Sequence, residues 1–151
     1  MINVANPTIT TASPDFVAAA AGAPGWAKER WTRTLTVPLT TLDTLIAEHG
    51  VPSFIKIDVE GYEADALSGL SIAVPSLSFE FTTIQRDVAR RCITRCAELG
   101  FRRFNAALGE SQALVHSAWL DQRTIAHWLE SLPFEANSGD IYATGAEGPS
   151  E

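Results

Sequence analysis

Asp58 and Glu60 flank Val59 and precede Gly61, at the point where the apolar run SFIKIDV (residues 53 to 59) gives way to EGYE. In an open α/β sheet, ligands bind outside the carboxyl ends of the strands, so two carboxylates at such an end are placed for a site. If extended geometry persists through Val59, side chains 58 and 60 share one face and Val59 points into the core. A carboxylate in that position can take the proton of a hydroxyl turning nucleophile, and its charge favours a cation bound beside it. Asp58 is the candidate for this role. Glu60 has a plainer alternative, which is to accept hydrogen bonds from the free amides of a helix beginning at Gly61. A hard divalent cation on Asp58-Val59-Glu60 is a further alternative, and the main expectation assigns no metal.

Other reactive side chains carry less. Lys56 lies inside the apolar run, where an ammonium is rarely buried alone, so it is expected to pair with a carboxylate such as Glu80 or to reach solvent. His49, His116 and His127 sit beside element ends or on an exposed helix and receive no role. Cys92 and Cys96, four apart in a predicted helix, point to one face as small apolar residues. No further ligands follow them at zinc-site spacing, so they read as reduced thiols.

The elements that must position Asp58 can be read from periodicity. The run from Ser53 to Val59 is β-branched and nearly continuous, as in a central parallel strand covered by helices on both faces. Upstream, Arg33, Leu35, Val37 and Leu39 alternate as a short strand ending near Pro38. A helix follows, capped by Thr40 with Asp43 three residues on, with Leu42, Leu45 and Ile46 on one face and Gly50 at its end. Downstream come a helix from Gly61 to Leu67, a buried strand from Leu77 to Phe81, and a helix spacing Ile84, Val88, Cys92, Cys96 and Leu99. Strand Phe101 to Asn105, helix Asp121 to Ser131 and strand Asp140 to Ala143 complete the alternation.

At the front, residues 1 to 12 read as a poorly ordered end or an orphaned strand, and Ser13 caps a short helix running to Gly22. A Gly- and Pro-rich loop then carries Trp26 and Trp31 over the surface or a cleft. The folded domain is expected over residues 13 to 144, with a disordered tail over 145 to 151. Alternating strands and helices predict an open α/β sheet with right-handed crossovers.

The 151 residues suit one domain, and 46% apolar with 19% charged residues suits a folded soluble one. A net charge of -7 argues against nucleic acid, and the run Arg86, Arg90, Arg91, Arg95 is too short to counter it. No apolar stretch approaches the ~20 residues of a bilayer span, and no basic-then-apolar leader opens the chain, so a cytoplasmic protein without a membrane partner is expected.

The stretch LDTLIAEHGVPSFIKIDVEGYEADALSGL closely resembles the signature of the FkbM-type methyltransferase family. In that family an LD-x-L helix leads into a strand of the form IKIDVEG-x-E, then L-x-GL, then a strand ending in FE, here Ser78, Phe79, Glu80 and Phe81. The likeness extends more loosely through residues 100 to 105 and the closing GDIYA, covering roughly residues 33 to 143. The resemblance implies a Rossmann-like class I methyltransferase fold with a seven-stranded sheet, S-adenosylmethionine as donor and a hydroxyl of a sugar, polyketide or similar metabolite as acceptor. It puts Asp58, Glu60 and Gly61 near cofactor and acceptor, and gives Lys56, Glu63 and Glu80 a supporting part in the fold.

One feature of the family is missing. Its opening strand, glycine-rich turn and ribose-binding acid have no counterpart, since GAPG at 22 to 25 follows an alanine-rich helix rather than an apolar strand. The sheet is therefore expected to be N-terminally incomplete, with an unpaired edge at the strand over 53 to 59. That implies a fragment, a dimer or an alternative start. The competing functional reading is a non-catalytic α/β interaction module that has lost the cofactor and docks a partner through that edge and Trp26 or Trp31.

Overall fold

The computed structural model describes residues 1–72, 74–111 and 113–145. In chain order the elements are β1 (Ile2–Asn3), α1 (Pro14–Ala20), β2 (Trp31–Arg33), α2 (Leu42–His49), β3 (Ile55–Ile57) and α3 (Glu63–Ser68). They continue as β4 (Ser76–Thr82), α4 (Arg86–Glu98), β5 (Arg103–Leu108), α5 (Gln122–Ser131) and β6 (Ser138–Thr144). The helix starts follow their caps. Ser13 Oγ accepts the Phe16 amide at 3.1 Å, with Pro14 in the first turn where its missing N–H costs nothing. Asp121 caps α5 through the Thr124 amide at 2.7 Å. For α2 the cap is Thr41 rather than Thr40, bonded by the Thr44 amide at 3.1 Å. Asp43 is drawn instead to the Ser71 amide at 2.8 Å, which ties α2 to the connection ahead of β4.

The main sheet has the order β3-β4-β6-β5, with β3 parallel to β4 and β6 antiparallel to both its neighbours. It is a mixed open α/β sheet, compatible with a Rossmann-like fold. The strand expected over 53 to 59, of central type but with an unpaired edge, is three residues long and stands at the edge of the described sheet, paired through Ile55, Lys56 and Ile57 to Leu77, Ser78 and Phe79. One face of the sheet holds the core: Leu77, Phe79 and Phe81 of β4, Phe104 and Ala106 of β5, and Ile141 and Ala143 of β6. Against them pack Leu67 of α3, Val88, Cys92, Ile93 and Cys96 of α4, and Ile125 and Leu129 of α5.

The expected cover of helices on both faces is therefore corrected. The opposite face carries Lys56, Ser78, Glu80, Asp140 and Tyr142 under a groove of about 420 Å³ whose described lining comes from strands and loops alone. The cause is connectivity. The links from β3 to β4 and from β4 to β5 step the same way across the sheet, and right-handed crossovers in one direction deposit their helices on one face.

Two upstream expectations also change. Residues 34–40 adopt no regular structure, and Leu35, Val37 and Leu39 are exposed, because alternation makes a strand only where an edge supplies hydrogen bonds. Residues 1–12, read from sequence as frayed or orphaned, instead pair β1 antiparallel with β2 and bury Asn3, Ile9 and Thr11. Asn3 Nδ2 donates to Glu29 at 2.6 Å, and the Trp31 indole donates to the Ile9 carbonyl at 2.8 Å. Residues 146–151 of the expected tail lie outside the described residues.

This front segment forms a second, smaller core. Fully buried Phe16 is met edge-on by Trp26 at 5.3 Å and by Trp31 at 5.9 Å between ring centres. Replacing Phe16 by Ala is expected to cost about 3 to 5 kcal/mol, the range for emptying an aromatic site. Urea unfolding measures that loss, and a red shift of tryptophan emission reports wetting of Trp26 and Trp31.

Candidate functional site

A cleft of about 620 Å³ opens between the aromatic lobe and the carboxyl ends of β3 and β4. Ile9, Gly25, Trp26 and Glu29 form its lobe wall; Asp58, Glu60, Glu80, Glu110, Asn137 and Ser138 form the sheet side. Trp26 is fixed by its indole N–H, which donates to Asn137 Oδ1 at 3.0 Å. The volume suits a small metabolite or nucleoside-sized ligand, for which clefts run from about 300 to 1,000 Å³.

Asp58 follows β3 directly, with its side chain 46% exposed and Oδ2 3.5 Å from Lys56 Nζ. It lines both the cleft and the neighbouring groove. Glu60 reaches the same cleft by another route than extended geometry. The strand stops at Ile57, Glu60 adopts a φ of 52°, and Val59 is 36% exposed instead of entering the core. Nor does Glu60 serve the helix amides. The helix α3 has no side-chain cap, and Glu63 Oε1 instead holds the turn before it, accepting the amides of Val59 at 3.1 Å and Gly61 at 3.2 Å. The Glu60 carboxylate turns to the cleft.

Gly61 lies behind the cleft rather than on its lining. Its φ is 85°, and a Cβ there would come within 2.4 Å of Gln85 Oε1 and 2.8 Å of Phe16 Cβ. Packing and backbone conformation both demand glycine here. Gln85 Oε1 is itself buried without a hydrogen-bond partner and borders a void of about 10 Å³ shared with Glu63 and Glu80, the space of one water.

Glu80, given a supporting role by resemblance, stands with Asp58 and Glu60, one carboxylate oxygen of each lying within 4.8 Å of the others. The signal for it was present in LSFEF. Leu77, Phe79 and Phe81 fill the core, so Ser78 and Glu80 must face the other way, towards the strand ends where Asp58 emerges. Lys56 is not its partner. The ammonium bonds Asp140 and lies beside Asp58. Burial works against its charge, but the bond to Asp140 and the nearby carboxylates outweigh this and hold its pKa above the ordinary value.

The acids feel one another. Burial first, then the charges of Asp58 and Glu63, push Glu60 up to about 7. Burial, with the charges of Glu60, Asp58 and Glu63, pushes Glu80 up to about 9. The cysteines take no part: both are buried and free, and burial pushes Cys96 up to about 12 and Cys92 higher still. None of His49, His116 and His127 lines the cleft.

The model of the methyltransferase FkbM domain matches residues 4–128. The chain belongs to this family. Methyl transfer is thus its function at the family level, and the match takes in the aromatic lobe as well as the motif-bearing half. No curated protein matches this FkbM-domain chain. Within the FkbM domain the cleft described above is bordered by residues well separated along the matched span, Ile9 and Trp26 on one side, Asp58 and Glu80 on the other.

Two outcomes follow from this geometry. Glu60 and Glu80 hold protons more tightly folded than unfolded, so their favourable contribution is complete below the unfolded carboxylate pKa near 4.5 and is lost as pH rises through about 7 and about 9. In buffer free of divalent cations the thermal midpoint should fall across that window, and Glu60→Gln should flatten its lower part. Separately, Gly61→Ala should destabilise the fold by about 2 to 4 kcal/mol through strain and overpacking, measured by denaturant unfolding.

Proposed function

We propose that the cleft carries out S-adenosylmethionine-dependent methyl transfer to a hydroxyl of a small metabolite, with Asp58 as the group that takes the hydroxyl proton. One observation carries the reading: a ligand-sized cavity at the ends of β3 and β4 with carboxylates in its wall and no Lys, Arg or His among its described lining residues. Such a wall suits a donor bearing ammonium and sulfonium charges. The volume and charge of the cleft fit that cofactor, and Trp26 offers an aromatic surface within it. A strand followed by a glycine-rich turn is not found among the described residues, so the fit rests on the acidic half of the site.

When bound, the cofactor supplies a methyl group on sulfur that is released as the acceptor oxygen bonds to it. The chain's own residues do the rest. Asp58, half-exposed at the strand end, can accept the proton that the hydroxyl sheds as its oxygen bonds to carbon. Glu60 and Glu80, whose carboxyls burial and mutual repulsion keep partly protonated, are poised to release their protons and gain negative charge when a cationic ligand enters the cleft. The lobe wall around Trp26 excludes solvent from one side and restricts how the acceptor lies, which is the main lever for an in-line transfer. Gly61 keeps the turn between Asp58 and α3 closed against Phe16. The strand order and polarity are compatible with one end of a larger class I methyltransferase sheet. Among the described residues no helix is long and apolar enough to cross a membrane.

The edge position of β3, with exposed Val51 and Phe54 beside it, favours a second reading in which the domain acts as a non-catalytic module or pairs with a second copy. Calorimetric titration with S-adenosylhomocysteine separates the two. Binding heat at up to about 1 mM ligand is expected, and its absence would remove the catalytic reading from this chain while leaving family membership intact. Sedimentation would then show an assembly. If transfer is observed, Asp58→Asn should lower kcat by about 100-fold or more, the usual size of a lost proton acceptor, with little change in ligand affinity.

A further inference from the structure

We infer that Asp58, Glu60 and Glu80 together bind a hard divalent cation such as magnesium, manganese or calcium at the floor of the cleft. The three carboxylates come from a strand end, the following turn and the neighbouring strand, and the fold brings one oxygen of each within 4.8 Å of the other two. Oxygens that bind one such ion at about 2.0 to 2.6 Å must lie roughly 3 to 5 Å apart, so this spacing closes onto an ion with only side-chain adjustment.

Acidic groups near one another at a surface would mean little alone, and Glu60 supplies the separate observation. It is 8% exposed, its carboxylate has no hydrogen-bond or ion-pair partner among the described residues, and it opens into the same cleft as Asp58 and Glu80. A buried carboxylate without a protein partner either keeps its proton or binds a cation, and a raised pKa leaves Glu60 free to exchange the one for the other. Among the described residues no side-chain cation bonds it, and Lys56 acts on it only at longer range. Lys56 is bonded to Asp140 and lies 3.5 Å from Asp58 Oδ2, on the groove side, and no described lining residue of the cleft is Lys, Arg or His.

The donor set decides the kind of ion. Three carboxylates without thiolate or imidazole select hard cations over zinc or copper. The cleft, about 620 Å³, leaves space for the waters that complete such a coordination shell. An ion held here stands beside Asp58, where it can bind an incoming hydroxyl oxygen and ease its deprotonation. The inference does not depend on methyl transfer, because the site is complete in this chain's own residues.

Terbium luminescence tests it on the full chain in metal-free buffer, because Trp26 lines the same cleft and can pass its excitation to an ion bound there. The expected result is a saturable signal displaced by manganese or calcium. Glu60→Gln and Asp58→Asn should each weaken the apparent affinity by about tenfold or more, whereas Glu110→Gln, in the cleft wall but outside the triad, should change it by less than about threefold. Trp26→Phe should dim the signal without shifting the midpoint. Circular dichroism verifies that each variant is folded; Glu60→Gln is isosteric and removes a buried charge. No saturable signal up to about 5 mM ion, or a Glu60→Gln midpoint equal to that of the parent, would overturn the assignment. S-adenosylhomocysteine titrated under the same conditions is read independently, so either proposal can fail alone.

Discussion

The cleft exists because the aromatic lobe is fastened to the turn that follows β3. Thr11 Oγ1 donates to the Glu60 carbonyl at 2.6 Å in the buried interior, and Phe16 presses on Gly61 too closely for any side chain there. These two contacts decide where Trp26 stands relative to the strand ends. They also decide the environment of Glu60. Without the lobe its carboxylate would be hydrated and its charge inexpensive; beneath the lobe it is buried among other acids, so it holds a proton more tightly or needs a cation to answer its charge. Burial, electrostatics and candidate chemistry therefore all descend from one tethered turn.

The sheet register divides the charge between cleft and groove. Lys56 stands opposite Ser78, with Glu80 on one diagonal of β4 and Asp140 opposite Glu80 on the next strand, β6. The small Ser78 leaves a path across the sheet to Asp140, and the ammonium takes it. The groove side holds the lysine, bonded to Asp140, whereas the described lining of the cleft carries carboxylates without Lys, Arg or His, and Asp58, Glu80 and Glu110 border both. That asymmetry separates a fold-supporting ion pair from a ligand-binding wall, though the residues sit on the same few strands.

Much of this was legible in the residues, for identifiable reasons. Period-two and helical spacings found β4, α4 and α5, because each buries one continuous face in a single core. The caps at Ser13 and Asp121 were readable because capping is local. Long-range terms were not. SFIKIDV by itself reads as a central strand, and its edge position was legible only from the missing N-terminal strands, because a strand's neighbours depend on the rest of the chain. Asp58 and Glu60 do share a cleft, but the left-handed backbone at Glu60 brings them there, which strand alternation cannot anticipate. Glu80 was overlooked as a site residue because its sequence distance from Asp58 hides a contact made by parallel pairing. The loop bearing Trp26 and Trp31 was placed over a surface or cleft, but the fold of residues 1–12 was not legible, because this polar, threonine-rich segment has no periodicity and is held by Asn3 accepting the Asn6 amide and Thr11 donating to the Glu60 carbonyl.

The position of β6 has a consequence for biogenesis. Because β6 lies between β4 and β5 and pairs along the length of both, those two strands remain unpaired with each other until it has been made. A nascent chain ending after α5 exposes two half-satisfied strand edges and an incomplete core, so the sheet closes late and through contacts distant in sequence. During synthesis the molecule should thus lean on chaperones that shield unpaired strands, with the last strand acting as the key that locks the earlier ones.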